Sequence, residues 1–267
     1  MSLRSFIDDT GSPDRTIAVV NDDAAGPLEG MLADTFDGQS ISVAPNAAVP
    51  SEGQLAPEIA ATLETSEDTA VLLEDGEPVA ASPMHELYES ILAINSDLFV
   101  TGARSVGEIE FPDVLAGLGG TRFQLRGYPL AHKEKLLLII VSRYIEQRAW
   151  TAGSGTLRSA FQRLSRIDDE IGTYETYAAI AETAVDVHAY GADGGGSTDL
   201  PVTPHTGPDA EYRDGWFVVF TPDERTSPDT DGIALVCLET EPRVWDGFWT
   251  SDQERVAAID DYIMRAL

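Results

Sequence analysis

The sequence predicts an α/β protein: a mixed β-sheet flanked by helices, with a small N-terminal α/β part and a C-terminal antiparallel strand set closed by a helix. Three observations carry this. Short apolar and β-branched runs alternate with helical patterns over the first eighty residues. In TAVLLEDGEPVAA (69–81), an Asp-Gly turn joins two β runs into a hairpin. Near the end, GWFVVFT (215–221), GIALVCLET (232–240) and RVWDGFWT (243–250) follow one another as strands. The division falls at 1–82 and 83–267, or the whole forms one continuous domain, since 267 residues suffice for a sizeable core.

In chain order, Leu3 to Asp8 reads as a short helix and TIAVV (16–20) as a buried strand, followed by a helix near Leu28 to Phe36 and a strand ISVA (41–44). A loop over 45–53 leads to a helix at Leu55 to Leu63, and Pro83 opens a helix through Asn95. DLFVTG (97–102) and TRFQLRGY (121–128) read as strands around a helix near Phe111 to Leu118. From His132 to Trp150 a long helix has an unbroken apolar centre, Leu136 to Val141, which places it in the middle of the fold or in a subunit contact. Gly153-Ser154-Gly155 breaks that helix. Leu157, Phe161 and Leu164, at i, i+4 and i+7, then predict a second, amphipathic helix capped by Thr156. A third helix spans Tyr174 to Ala184 and leads into the strand VDVHAY (185–190). Residues 191–214 read as a long loop without periodicity. The helix from Asp252 to Leu267 turns Val256, Ile259, Ile263 and Leu267 inward.

The net charge is −29, from 46 acids against 15 Arg and 2 Lys. Such a surface repels its own copies in dilute buffer and is screened in molar salt, which points to the cytoplasm of an extreme halophile. The start, MSLRSFIDD, lacks an apolar leader, and the absence of an 18-residue apolar run argues against a membrane span. Charge is uneven, however. Residues 104–166 hold 10 basic and 5 acidic side chains, a balance of +5, leaving −34 on the remainder. A field of that sign makes nucleic acid an unfavourable partner.

The chain shows no paired metal-ligand spacing, nucleophile elbow, Walker loop or dinucleotide fingerprint. Its four histidines lie far apart, and His188, inside a strand, reads as a structural histidine. Cys237, in IALVCL, reads as a buried inert thiol. The basic island is richest at 142–166. There Arg143 and Glu146 are i, i+3 neighbours, Arg148 and Trp150 follow, and Arg158, Gln162, Arg163 and Arg166 project from the polar side of the expected second helix. Those arginines either pin helix to helix or receive an anionic ligand or acidic partner. Trp245 and Trp249, four apart on a strand, share one face with Phe248 opposite, forming either core or a wall for a planar ligand.

The segments SRYIEQRAWTAGSGTLRSAFQRLSR (142–166), VDVHAYG (185–191), GWFVVF (215–220) and FWTSD (248–252) together resemble the DICT domain, a sensory domain of diguanylate cyclases and two-component systems. MSLRSFIDD and LLEDGEPVAA are similar to stand-alone haloarchaeal members. The resemblance implies a signal-input module without catalysis and transfers no functional residues. No cyclase or kinase domain fits in the residual length, so the output is expected to be a separate protein, or the chain is a sensor alone.

Three functional readings follow. The first is a sensory or regulatory protein that binds a small anionic or planar ligand, or a partner protein, and signals to an output protein, with a homodimer contact available to the apolar helix. The second is an enzyme acting on an anionic small molecule through the arginines and Glu146; against it, the sequence presents no nucleophile, metal set or acid–base pair. The third is a DNA-associated regulator using 156–166. No cofactor is indicated.

Overall fold

A computed structural model describes residues 1–11, 13–21, 30, 32–33, 36, 39–45, 55–66, 68–95, 105–109, 111–126, 134–192 and 199–267. The expected strand at 97–102, residues 127 and 128, and most of the expected helix at 28–36 lie outside them.

Two mixed sheets organise the described residues. The smaller has the order β2-β1-β3-β4, built from β1 (Arg15–Asn21), β2 (Ile41–Pro45), β3 (Asp68–Glu74) and β4 (Glu77–Pro83). β1 and β2 are parallel, whereas β1–β3 and β3–β4 are antiparallel. The β3–β4 hairpin turns through Asp75 at φ 51° and Gly76 at φ 86°, the two positive angles that a tight Asp-Gly turn requires. Pro83 ends β4, so helix α3 (Met84–Asn95) starts one residue later than expected. α2 (Pro57–Thr65) packs Ile59 on the outer face of this sheet against Ala18, Val71 and Ala81.

The larger sheet has the order β5-β11-β10-β9-β6-β7-β8. It comprises β5 (Phe123–Arg126), β6 (Ser154–Ala160), β7 (Ala184–Gly191), β8 (Thr203–Thr206), β9 (Gly215–Thr221), β10 (Ile233–Glu241) and β11 (Val244–Thr250). β6, β7 and β8 run parallel, and the rest of the sheet is antiparallel. One face buries Leu157, Val187, Val218, Leu235 and Trp249 under α5 (Glu134–Ala152) and α7 (Ile171–Ala181). The opposite face buries Phe217, Val236 and Phe248 under α1 (Leu3–Asp8), α8 (Ala210–Asp214) and α9 (Gln253–Ala266). α5 does run through the middle. Leu138, Ile145 and Ala149 are fully buried in the cluster that also holds Ile17 and Leu72 of the small sheet, with α3 and α4 (Asp113–Gly117) between. No helix among the described residues is long and apolar enough to cross a membrane.

Two expectations need correction. Residues 154–160 form the interior strand β6 rather than the start of an amphipathic helix, while 166–169 form a separate short helix, α6. β6 is hydrogen-bonded on both sides, to β7 and β9, and this non-local pairing overrides the local i, i+4, i+7 pattern. Gly155 lies at φ 111°, and a Cβ there would stand 2.6 Å from the Thr221 carbonyl oxygen, so the strand entrance requires glycine. The second correction concerns 191–214, which contains β8 and α8. Pro204 and the shortness of β8 concealed it: an edge strand tolerates proline because no neighbour needs the missing N–H.

At the other edge, a side chain stands in for the next strand. Gln39 Nε2 donates to the Gln124 carbonyl at 2.6 Å, and its Oε1 accepts from Gln124 N–H at 3.0 Å. Ser40 Oγ donates to the Arg122 carbonyl at 3.1 Å.

Candidate functional site

The expected cluster around Arg143 is a closed, buried network. α5 carries Ser142, Arg143 and Glu146 on the side facing α7 and β6. Arg143 donates from Nη1 to Glu146 Oε2 at 2.8 Å and from Nη2 to Thr173 Oγ1 at 2.7 Å. Thr173 Oγ1 in turn donates to Glu170 Oε2 at 3.1 Å. Tyr177 Oη lies 3.0 Å from Glu146 Oε1 and 2.6 Å from Ser159 Oγ on β6. One phenolic proton serves one acceptor, so the carboxylate takes it and the Ser159 hydroxyl donates in turn. Burial, reinforced by the Glu146 charge, pushes the Tyr177 phenol well above its ordinary value, so it remains a donor. Trp216 Nε1 donates to Ser142 Oγ at 3.0 Å. With Arg143 7% and Glu146 4% exposed, this cluster ties α5, α7 and β6 together and offers no open cation.

The other expected residues disperse. Arg148 lies 6.0 Å from the Tyr144 ring and donates to the Asp231 carbonyl at 3.4 Å. Trp150, an exposed large hydrophobic side chain, covers Gly107. Gln162 adopts φ 60° and donates to Glu239 at 3.1 Å. Arg163 and Arg166 follow the carboxyl end of β6, but Asp168, Asp169 and Glu170 crowd the same segment. Trp245 and Trp249 do share a face opposite Phe248, and that face is core: they are 5% and 1% exposed. Trp249 packs on Phe123, and Trp245 makes an edge contact with Trp216 at 5.5 Å.

Arg158 belongs to a second cluster, on the opposite face of the sheet. Its Nε donates to Asp260 of α9 at 2.7 Å and its Nη1 to the Tyr190 hydroxyl at 3.2 Å. The Tyr190 ring stacks on His205 of β8, with centroids 4.4 Å apart and planes 9° apart. His205 Nε2 lies 2.8 Å from His188 Nδ1, and His188 Nε2 lies 3.2 Å from Asp186 Oδ2. A continuous ladder thus runs from α9 across β6 and β7 to the edge strand: Asp260, Arg158, Tyr190, His205, His188, Asp186. Burial, the His188 ring and the Arg158 charge lower the His205 pKa from its ordinary 6.5. Burial outweighs the neighbouring Arg158 to raise the Tyr190 phenol, which stays neutral.

Sequence reasoning missed the histidine pair. Seventeen residues separate His188 from His205, and only the parallel register, with His188 opposite Thr203 and Tyr190 opposite His205, brings the rings together. The available signal was alternation. Asp186, His188 and Tyr190 occupy one face of β7, opposite the buried Val185 and Val187.

No group of three or more metal-ligating side chains forms among the described residues. No family model and no curated protein matches the chain. Among solved structures, the polyphosphate kinase from Porphyromonas gingivalis is similar over 61% of this chain and 26% of its own, at 13% identity and a TM-score of 0.37. A likeness that low carries no argument about function.

Proposed function

We propose that the protein is a cytoplasmic, non-catalytic regulatory module that reads an input at the β6–β7–β8 edge and passes it to a separate output protein. The observation that supports this is the ladder from His205 to Asp260. It makes the state of a partly exposed edge strand felt at the C-terminal helix through one stacked ring and one buried guanidinium. The resemblance to the DICT sensory domain points the same way. In this reading the Arg143 network is the rigid frame, so that a change at β8 is transmitted rather than absorbed.

Hydrogen exchange on the full chain in molar KCl tests the wiring. His205→Gln removes the stacked ring, a contact of about 1 kcal/mol, so amides near Asp260 should exchange about fivefold faster while those of α2 do not change. Unchanged exchange in α9 would refute the coupling.

A further inference from the structure

The carboxylate at one end of the histidine chain sets the direction of every hydrogen bond in it. Asp186 only accepts, so His188 carries its proton on Nε2 and presents a lone pair at Nδ1. His205 must then donate from Nε2, which leaves the remaining lone pair on its Nδ1. That nitrogen has no partner among the described residues. The ring centroids lie 5.1 Å apart with the nitrogens 2.8 Å apart, so the bond points nearly along the line between the rings. Tyr190 holds the His205 ring flat from one side.

We propose that His205 Nδ1 is a phosphoryl-acceptor site, with a small acyl phosphate as the donor. This rests on the regulatory reading above and names the input of the same site. The Nδ1 lone pair forms a P–N bond as the P–O bond to the acyl group breaks, and the carboxylate leaves with that electron pair. The His205 ring would become cationic, but its Nε2 proton moves along the existing 2.8 Å bond to His188 Nδ1, giving an imidazolium held against Asp186.

The residues around the ring determine where charge falls after transfer. Around His205 stand Asp186 and His188 of β7, Arg158 of β6 and Asp260 of α9, with the Tyr190 and Tyr212 phenols kept neutral by burial. Transfer brings the negative charge of the phosphoryl group to Nδ1 and, through the proton relay, adds a cation beside Asp186. Afterwards each carboxylate opposes a cation, His188 against Asp186 and Arg158 against Asp260. The lowered basicity of His205 also keeps its lone pair free at neutral pH.

The test incubates the full chain in molar KCl with acetyl phosphate and maps alkali-stable, acid-labile phosphate by peptide mass. The expected result is one phosphoryl group on His205, none on His205→Gln, and uptake slowed about tenfold or more in Asp186→Asn with unchanged melting. His85, exposed and outside the ladder, is the internal control and should lag. Equal uptake on His85, or an undiminished rate in Asp186→Asn, overturns the proposal. Phosphate on His205 that leaves α9 exchange unaltered overturns the regulatory reading and keeps the acceptor. No uptake, with His205→Gln still loosening α9, overturns the acceptor alone.

Discussion

Removing both partners of the Arg143–Glu146 pair should cost no more than removing either one. The two side chains are 9% and 5% exposed and meet at 2.8 Å. Arg143→Met strands the Glu146 carboxylate with Tyr177 as its remaining donor, and Glu146→Leu strands the guanidinium with Thr173; each single change should cost about 3–5 kcal/mol. The double variant strands no charge. It removes one hydrogen bond each from Tyr177, which keeps Ser159, and Thr173, which keeps Glu170, at a cost of about 2–3 kcal/mol. Taking the low end for the single changes leaves a coupling of about 3 kcal/mol, the upper end for residues in contact. The assay is urea denaturation followed by tryptophan fluorescence, with Trp216 hydrogen-bonded to the adjacent Ser142. At 1 M salt the screening length is about 3 Å, yet mobile ions do not enter a buried pair. The coupling should therefore be equal at 1 M and 3 M KCl. A coupling near zero, or one that disappears with salt, refutes the buried-pair argument.

Other outcomes follow from single groups. The His205 pKa is lowered on folding, so its contribution to stability is present above the ordinary value of 6.5 and is lost as pH falls through the lower folded value; melting between pH 8 and 5 should show this loss, and a His205→Gln variant with the same slope would count against it. Burial raises the Asp246 carboxyl, but hydrogen bonds from Arg122 and Arg4 outweigh it and the net shift is downward. Asp246→Asn should therefore release α1, seen as faster proteolysis within the first eleven residues; unchanged cleavage would show that Arg4 does not anchor it. The Cys237 thiol is fully buried and its pKa pushed well up by that burial, so alkylation should track global unfolding in urea, whereas rapid labelling of the native protein would contradict its burial.

Elements with a strong local pattern were legible in the sequence. The Asp75-Gly76 turn, the α9 stripe of Val256, Ile259 and Ile263, and the opposed faces of Trp249 and Phe248 each follow from a period or a turn rule acting within a few residues. β6 was illegible because its alternation is hidden: Ser159 shares the inner face with Leu157 while Arg158 sits on the other, and both polar residues are buried by distant partners. Of the site, the sequence placed Arg143 beside Glu146, since one helical turn suffices. It could not place His188 beside His205, because their contact depends on the register of a four-residue edge strand.

The Gln39 clasp on β5 acquires a further meaning in salt. A net charge of −29 would keep copies of the chain apart in dilute buffer, but at molar ionic strength that long-range repulsion is extinguished. Exposed ladder edges are then liable to recruit one another, and protection must come from shape rather than field. Gln39 occupies the donor and acceptor of Gln124 that an incoming strand would use, and Pro204 withholds an N–H at the opposite edge. Two uncharged side chains thus guard the sheet under the very conditions in which dozens of carboxylates no longer can.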